Sequence, residues 1–264
     1  MMRHFSAPRP TARTLAVWQR NFLVWRKLAI PSVLGNLADP MIYMLGFGYG
    51  VGALLPKNVD LFGGVSYIAF LAGGSLCAAA MNSATFEALY SGFSRMHVQK
   101  TWDAIMNAPV SLDDVMLGEM LWAASKATLS GVAILVVVWL LGLSSSWLSL
   151  GLIPLVLLVG LAFAGLGLIM TALAPSYDFF MYYFTLFITP MTLLSGVFFP
   201  LEQLPAAMQA VAQLLPLTHA VALARPLLLG ALPQDALLHL AALAGFALAG
   251  FWIALGLARR RLLT

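Results

Sequence analysis

The chain has 264 residues, of which 61% are hydrophobic and 9% are charged, and its formal net charge is +4. An ordinary soluble domain has roughly 25% charged residues, and a water-soluble core could not hide this much apolar surface. The composition excludes a cytosolic enzyme and a disordered chain. It also excludes a disulfide scaffold, because Cys77 is the only cysteine in the sequence. We therefore predict an integral membrane protein.

Residues 1–32 are predicted to form a cytosolic tail and an amphipathic interface helix. Apolar residues recur at steps of three and four and share one helical face: Leu15, Trp18, Phe22, Trp25 and Ala29. Basic residues recur every seven residues on the other face: Arg13, Arg20 and Lys27. This pattern is typical of a helix lying in the membrane interface, where it is either an anchor or a contact surface for a cytosolic partner. The segment has no continuous apolar core, so it is not predicted to be a signal peptide.

Residues 33–262 are predicted to form the transmembrane domain. A spanning helix needs about 20 mostly apolar residues. Six stretches qualify, and the third begins as early as Val115: 33–55, 61–86, 127–143, 147–174, 179–200 and 236–258. Two shorter apolar pieces, 204–215 and 217–229, are predicted to form a re-entrant helical hairpin between spans five and six. The predicted fold is thus an all-α membrane domain with six transmembrane helices.

Positive charge predicts the orientation of the chain. Twelve of the fourteen Lys and Arg residues lie before span one, between spans two and three, at the start of span three, or in the C-terminal tail. Lys57 and Arg225 are the exceptions. Because Lys and Arg concentrate in short cytosolic loops, both termini are predicted to be cytosolic. This bias explains the net charge without a nucleic-acid partner.

The sequence contains little that could carry out chemistry. It has no phosphate-binding G-x-x-x-x-G-K-[ST] loop and no G-x-S-x-G nucleophile motif. The four histidines are scattered, and no spacing resembles a metal site. The ionisable residues avoid the middle of the spans, which disfavours ion-coupled transport. Glu119 and Lys126 are seven residues apart and are expected to share one face of a helix near the headgroups. We therefore predict no catalytic or metal site, and an energy source outside this chain.

The connection 91–114 is the strongest candidate for contact with such a source. Met96 and Trp102 begin a short apolar stripe, Arg95 and Asp103 lie on a polar face, and Pro109 ends the pattern. A short amphipathic helix with Trp and Met is typical of a segment that docks into a groove of a partner protein.

Two regions resemble a known family. Residues 101–111 (TWDAIMNAPVS), followed by Leu117-Gly-Glu-Met, resemble the first cytosolic loop of type-2 ABC exporter (ABC-2) permeases. The stretch SGVFFPLEQLP from Ser195, with LPLTHAV from Leu215 and then Arg225, resembles the most characteristic region of that family. The resemblance covers essentially the whole chain. Residues 176–180 (SYDFF) resemble the members that export lipo-chitooligosaccharides, although these motifs say less about substrate than about family.

The resemblance implies the permease subunit of an ATP-driven exporter in the bacterial inner membrane. Two copies of this chain would assemble with two ATPase subunits, which bind ATP and Mg²⁺, so this chain itself would hold no cofactor. The cargo would be a glycolipid, a lipooligosaccharide or a related amphiphile, moved outward by alternating access. The coupling helix would comprise the following residues: Arg95, Met96, His97, Lys100, Thr101, Trp102 and Asp103.

The transport path is expected between two copies of the chain, lined mainly by spans one, two and five. Aromatic rings that could stack on sugars are the candidate path residues: Tyr43, Phe179, Tyr182, Tyr183 and Phe187. The competing interpretation assigns Tyr182 and Tyr183 to the cytosolic aromatic belt and the other rings to packing. The periplasmic gate is predicted at Phe198, Phe199 and Glu202, where the hairpin begins.

Three other functions remain open at this stage. The chain could be a multidrug or antibiotic export permease, or a channel or secondary transporter with no ATPase partner. It could also be a membrane anchor that binds an ATPase but moves no substrate.

Overall fold

The computed structural model describes residues 5–55, 62 and 64–263. These residues form helices and connecting turns, without any β-strand among them. The α-helices in the described ranges are α1 (Thr14–Trp25), α2 (Ala29–Leu45), α3 (Tyr67–Phe86), α4 (Thr101–Met106), α5 (Leu112–Leu140), α6 (Leu152–Leu173), α7 (Asp178–Tyr183), α8 (Thr189–Leu194), α9 (Ala206–Ala212), α10 (Pro216–Leu229) and α11 (Ala236–Leu262).

Several of these helices join into longer units that could cross a bilayer. In the described part of the chain, five units are long and apolar enough: Thr14–Leu54, Tyr67–Val98, Leu112–Leu140, Trp147–Leu173 and Ala236–Leu262. The pair α9 and α10, bent by 88°, makes a sixth if it is one broken span. The predicted all-α class is confirmed, with five or six candidate spans.

The predicted boundary between residues 32 and 33 falls inside α2, and only a 3₁₀ turn (Arg26–Leu28) joins α1 to α2. Lys57 and the predicted start of span two at residue 61 lie outside the described residues. Beyond α3, π-helical turns continue the helix from Glu87 to Val98, so the unit Tyr67–Val98 includes three of the seven predicted coupling residues: Arg95, Met96 and His97.

The predicted fifth span is shorter than expected. Helices α7 and α8 form one apolar unit, Asp178–Leu194, of 17 residues, whereas the prediction ran to residue 200. The chain turns at Gly196, whose φ of +74° is a conformation that favours glycine. The next two helices, α9 and α10, meet at 88°, a bend that fits either a broken span or a re-entrant loop.

The two ends of the chain lie side by side. Phe5 packs edge-on against Trp252 at 5.8 Å between ring centroids. Arg259 Nη1 donates to the backbone oxygen of Ser6 at 2.8 Å, and Arg259 Nη2 pairs with Asp113 Oδ2 at 2.6 Å. The N-terminal segment and the end of α11 therefore lie at the same end of the helix bundle, next to the start of α5.

Helix α3 occupies the centre of the bundle. It contacts α2, α5, α6 and α10, and nearly all of its residues from Ile68 to Thr85 are buried. Small residues allow these close contacts, and Ala72, Ala80 and Ala84 are fully buried. A similar close approach joins α5 to α6 at Gly160, where an added Cβ would lie 2.8 Å from Ala124 Cα. Small residues are the usual means of bringing membrane helices together.

This packing predicts that Gly160→Ala destabilises the protein by about 1–3 kcal/mol, because the methyl group would meet backbone that cannot rotate away. Gly245→Ala is the matched control, since Gly245 lies in exposed helix with no atom within 4 Å of an added Cβ. Thermal unfolding in nanodiscs measures both. A Gly160→Ala protein as stable as the control would contradict the packing of α5 on α6.

Candidate functional site

A group of four charged side chains, the Arg95 cluster, lies at the end of the α3 unit and comprises Glu87, Arg95, Glu119 and Lys126. Arg95 Nε donates to both carboxylate oxygens of Glu119, at 2.9 and 3.0 Å. Its Nη2 also donates to Glu87 Oε1 at 3.0 Å. The side chains of Glu119 and Arg95 are 2% and 12% exposed. The pairing is therefore largely shielded from water, where removing one partner is costly.

Glu87 is bound from a second direction. Lys126 Nζ donates to Glu87 Oε2 at 2.9 Å, and Trp122 Nε1 donates to Glu87 Oε1 at 2.9 Å. Ser91 Oγ adds a hydrogen bond of 3.1 Å to Glu87 Oε2. The buried carboxylate of Glu87 thus accepts hydrogen bonds from both charged and neutral donors, as a buried ion requires.

Glu119 also ties other helices to α5. Trp102 Nε1 of α4 donates to Glu119 Oε1 at 3.1 Å, and Asn21 Nδ2 of α1 donates to the same oxygen at 3.2 Å. Helix α1, the end of the α3 unit and the short helix α4 therefore meet at one carboxylate. A shift of α4 must change at least one of these bonds.

The structure divides the predicted coupling residues into two sets. Arg95 and Trp102 meet at Glu119, and Met96 and Trp102 are 3% and 1% exposed. The expectation that Met96 and Trp102 form an exposed docking stripe is therefore wrong, because both pack inward. His97, Lys100 and Asp103 are exposed and Thr101 is half-buried.

The sequence did not predict which basic residues pair with Glu87 and Glu119. Glu119 and Lys126 share α5 as predicted, and each binds a charged residue of the α3 unit. The available signal was a Trp midway between them, at Trp122, whose indole donates to Glu87. Spacing along one helix does not say which neighbouring helix supplies the partner.

A second feature is an apolar groove of about 530 Å³, here called the Phe198 groove, along α2, α3 and the unit Asp178–Leu194. Tyr43 and Phe47 each meet the Phe198 ring edge-on, at 6.1 and 5.7 Å. Tyr67 Oη donates to the backbone oxygen of Phe198 at 3.0 Å. The polar residues of the lining are Ser75, Asn82, Thr189 and Thr192. The groove therefore offers aromatic faces and scattered hydrogen-bonding groups.

The predicted path and gate residues are only partly brought together. Tyr43, Phe198 and Phe199 line the groove. The other path candidates do not: Phe179, Tyr182, Tyr183 and Phe187. Tyr182 and Phe187 are 66% and 56% exposed, on the outer face of the bundle. Five residues of the unit Asp178–Leu194 line the groove, and Phe184 is the aromatic one among them: Phe184, Ile188, Thr189, Thr192 and Leu193.

Glu202 lies apart from the two phenylalanines of the predicted gate. It lines a separate cavity of about 370 Å³, the Arg225 cavity, with Arg225, Ser195 and Thr218. The predicted gate thus divides between two sides of the segment 195–202.

Two of the four histidines are not scattered in space. His219 of α10 and His239 of α11 lie with their Nδ1 atoms 2.8 Å apart. No group of three or more metal-ligating side chains occurs among the described residues.

Comparison with known proteins gives a consistent result. Residues 12–229 match a family model described as ABC-2 type transporter. The chain is 49% identical over 250 residues to nodulation protein J of Rhizobium meliloti (strain 1021), covering 94% of each chain. It is 48% identical to nodulation protein J of Rhizobium leguminosarum bv. viciae, covering 94% of this chain and 95% of the relative. The protein of the same name from Bradyrhizobium diazoefficiens is 48% identical, with 94% and 93% covered.

The Arg95 cluster predicts that Glu119→Gln lowers the free energy of unfolding by about 3 kcal/mol. The substitution leaves a buried guanidinium with only Glu87 as a charged partner. Asp103→Asn is the control, because it removes the same charge from an exposed site with no ion pair in the described residues. Chemical unfolding in detergent measures the difference. Equal stability of the two variants would rule out a structural role for the cluster.

Proposed function

The chain belongs to the ABC-2 type transporter family, as its motifs predict, and we propose that it is the permease of a homodimeric ATP-driven exporter. The family match carries the coarser conclusion, a membrane transport subunit with its ATPase on a separate chain. We further propose that two copies of this chain assemble with two ATPase subunits, which hold ATP and Mg²⁺. Cargo would move by alternating access along a path between the two copies of the permease.

Helix α4 and the residues next to it are the proposed docking site for the ATPase. Their outward side is polar and accessible, with His97, Lys100 and Asp103 exposed. Their inward side is fixed by Trp102 on Glu119. A push on the exposed side would therefore act directly on the Arg95 cluster. In this version of the coupling hypothesis Trp102 transmits movement inside the permease and does not touch the ATPase.

The proposed orientation places this end of the bundle in the cytosol. Arg259, Arg260 and Arg261 end α11, and the N-terminal segment lies beside them through the Arg259–Ser6 contact. Basic residues on one side are the expected sign of the cytosolic face. The same orientation directs the Arg225 cavity to the periplasm, and the membrane is the bacterial inner membrane.

The Phe198 groove is proposed to be the half of the transport path that each copy of the chain supplies. Its lining comes from the three units predicted to form the path, and it combines rings with Asn82 and Thr192. Such a surface suits an amphiphile with a sugar end and an acyl end. Because the related chains carry the name nodulation protein J, we propose a lipo-chitooligosaccharide or a similar glycolipid as cargo.

Docking is tested by thiol protection. Asp103→Cys is expected to react with a soluble maleimide in the isolated permease and to lose most of that reaction in complex with the ATPase encoded beside it. The native Cys77 is fully buried and stays silent. Gln203→Cys, exposed near the opposite end, is the control and should react equally in both states. Unchanged labelling of Asp103→Cys in a purified complex would place the docking site elsewhere.

The path is tested by comparing two exposed tyrosines. Tyr43→Ala is expected to lower ATP-dependent uptake of a fluorescent lipo-chitooligosaccharide into inverted vesicles about fivefold, the equivalent of about 1 kcal/mol of lost ring contact. Tyr182→Ala, outside the groove, should transport normally, and both should keep the ATPase bound. Normal transport by Tyr43→Ala, or equal loss in both, would remove the groove from the path.

A further inference from the structure

A cavity of about 450 Å³, here called the Arg20 cavity, lies between α1, the end of the α3 unit and α5. Each of these elements supplies a basic side chain to its lining: Arg20 from α1, Arg95 from the α3 unit and Lys126 from α5. The volume is within the usual range of ligand sites. The cavity is therefore a basic space large enough for a small polar group.

Two of the three cations keep donors that a ligand could use. The side chains of Arg95 and Lys126 are 12% and 19% exposed. Arg95 binds the carboxylates through Nε and Nη2 only, so its Nη1 makes no hydrogen bond to a described residue. That Nη1 atom is not buried, so a ligand can reach it. Lys126 Nζ can donate three hydrogen bonds and makes one, to Glu87.

Arg20 is the cation without a carboxylate partner within the described ranges. Its Nη1 donates to the side-chain oxygen of Asn21 at 2.9 Å, and its other guanidinium nitrogens make no bond to a described residue. The side chain is half-buried and shares the cavity with the guanidinium of Arg95. Charges that leave water are normally paired, so this arrangement indicates an anion supplied from outside the chain.

The charges around the cavity define how much negative charge the ligand should carry. Arg20, Arg95 and Lys126 are opposed by Glu87, which lines the space, and by Glu119, which holds Arg95 from behind. One positive charge is left unbalanced. A phosphodiester carries one negative charge and offers only acceptor oxygens, which guanidinium groups bind in a well-matched geometry.

Neutral donors stand at the edge of the same space. Tyr90 and Tyr177 stack at 6.1 Å between ring centroids, and both line the cavity. Their side chains are 36% and 39% exposed, and neither hydroxyl binds a described residue. These hydroxyls could bind the polar group that a phosphodiester carries beyond its phosphate.

The surface next to the cavity is apolar. Val24 lines the cavity and is 57% exposed, and the neighbouring Leu23 is 40% exposed. A free phosphate ion gains nothing from such side chains, whereas the acyl chain of a lipid would cover them. Basic residues beside exposed apolar ones on one helix are typical of a position at the level of lipid headgroups.

We propose that the Arg20 cavity binds the phosphodiester of a phospholipid, with the phosphate between Arg20 and Arg95 and an acyl chain along Leu23 and Val24. This lipid is a bound component and not cargo, because the described linings of the cavity and of the Phe198 groove share no residue. The phosphate would join α1 to the α3 unit. Only the assignment of this lipid to the cytosolic leaflet rests on the proposed function.

The test is native mass spectrometry of the full chain released from detergent micelles, with dioleoylphosphatidylglycerol as the probe. Dioleoylglycerol has the same acyl chains without the phosphate, and inorganic phosphate has the anion without the chains. The wild type is expected to bind the phospholipid in preference to both.

Two variants locate the binding. Arg20→Gln is expected to lower the affinity for dioleoylphosphatidylglycerol about fivefold, through the loss of charge-assisted hydrogen bonds. Gln99→Glu should lower it to a similar extent, because Gln99 is exposed at the cavity and the new charge would repel the phosphate. Arg26→Gln is the matched control, since it removes the same charge from an exposed residue of the same helical unit outside the cavity.

Each result decides the proposal. Loss of phospholipid affinity in Arg20→Gln and Gln99→Glu, but not in Arg26→Gln, supports it. Equal loss in Arg20→Gln and Arg26→Gln would indicate general attraction of a basic helix to lipid and overturn it. Equal binding of dioleoylglycerol would show that the phosphate is not recognised. Displacement of the lipid by an equal concentration of inorganic phosphate would assign the cavity to a soluble anion; both results overturn the proposal.

The outcome is separate from that of the exporter hypothesis, because the measurement uses the permease without an ATPase. Specific phospholipid binding by a chain that assembles with no ATPase would keep the site and reject the exporter. Transport of cargo by a permease whose Arg20 cavity binds no phospholipid would keep the exporter and reject the site.

Discussion

The pairing of Arg95 with Glu119 is the interaction on which one end of the bundle depends. Removing two charges from water is expensive, and the cost is offset only when every donor and acceptor has a partner in good geometry. Here the partners come from different helices, with Trp102 and Asn21 meeting Glu119 and Lys126 meeting Glu87. The charges therefore specify how α1, α4 and α5 fit against the α3 unit, which apolar contacts alone would leave less defined.

The central helix connects this cluster with the other two features of the molecule. Tyr67–Val98 carries Arg95 near its end, lines the Phe198 groove along its middle and supplies Phe70 to the Arg225 cavity. At 1.5 Å per residue, Phe70 and Arg95 are roughly 37 Å apart along it. In the proposed coupling, a movement of α4 would reach the groove through this one helix, since no loop interrupts the unit Tyr67–Val98.

The sequence predicted well the features that depend on composition. It predicted poorly which side chains from different helices bind each other. Long apolar runs predict the spans because a helix that crosses lipid must be apolar along its length. The predicted span 147–174 differs by one residue from the observed unit Trp147–Leu173. Amphipathic spacing placed Trp102 on the right helix but on the wrong side. A tryptophan that donates to a buried carboxylate has the same periodicity as one that docks on a partner. Likewise, nothing in a spacing of 20 residues brings His219 to His239; only the corner between α9 and α10 and the return of α11 do so.

The burial of α3 limits which sequences this fold can accept. A helix exposed to lipid has positions where one large apolar residue replaces another at little cost, because acyl chains adapt to its shape. Helix α3 has few such positions, since its small residues Ala72, Ala80 and Ala84 are enclosed by protein on all sides. Hydrophobicity alone therefore does not make a residue acceptable there, and its volume decides. Leucine is apolar enough for a membrane helix at each of these positions, but its side chain is too large to fit there.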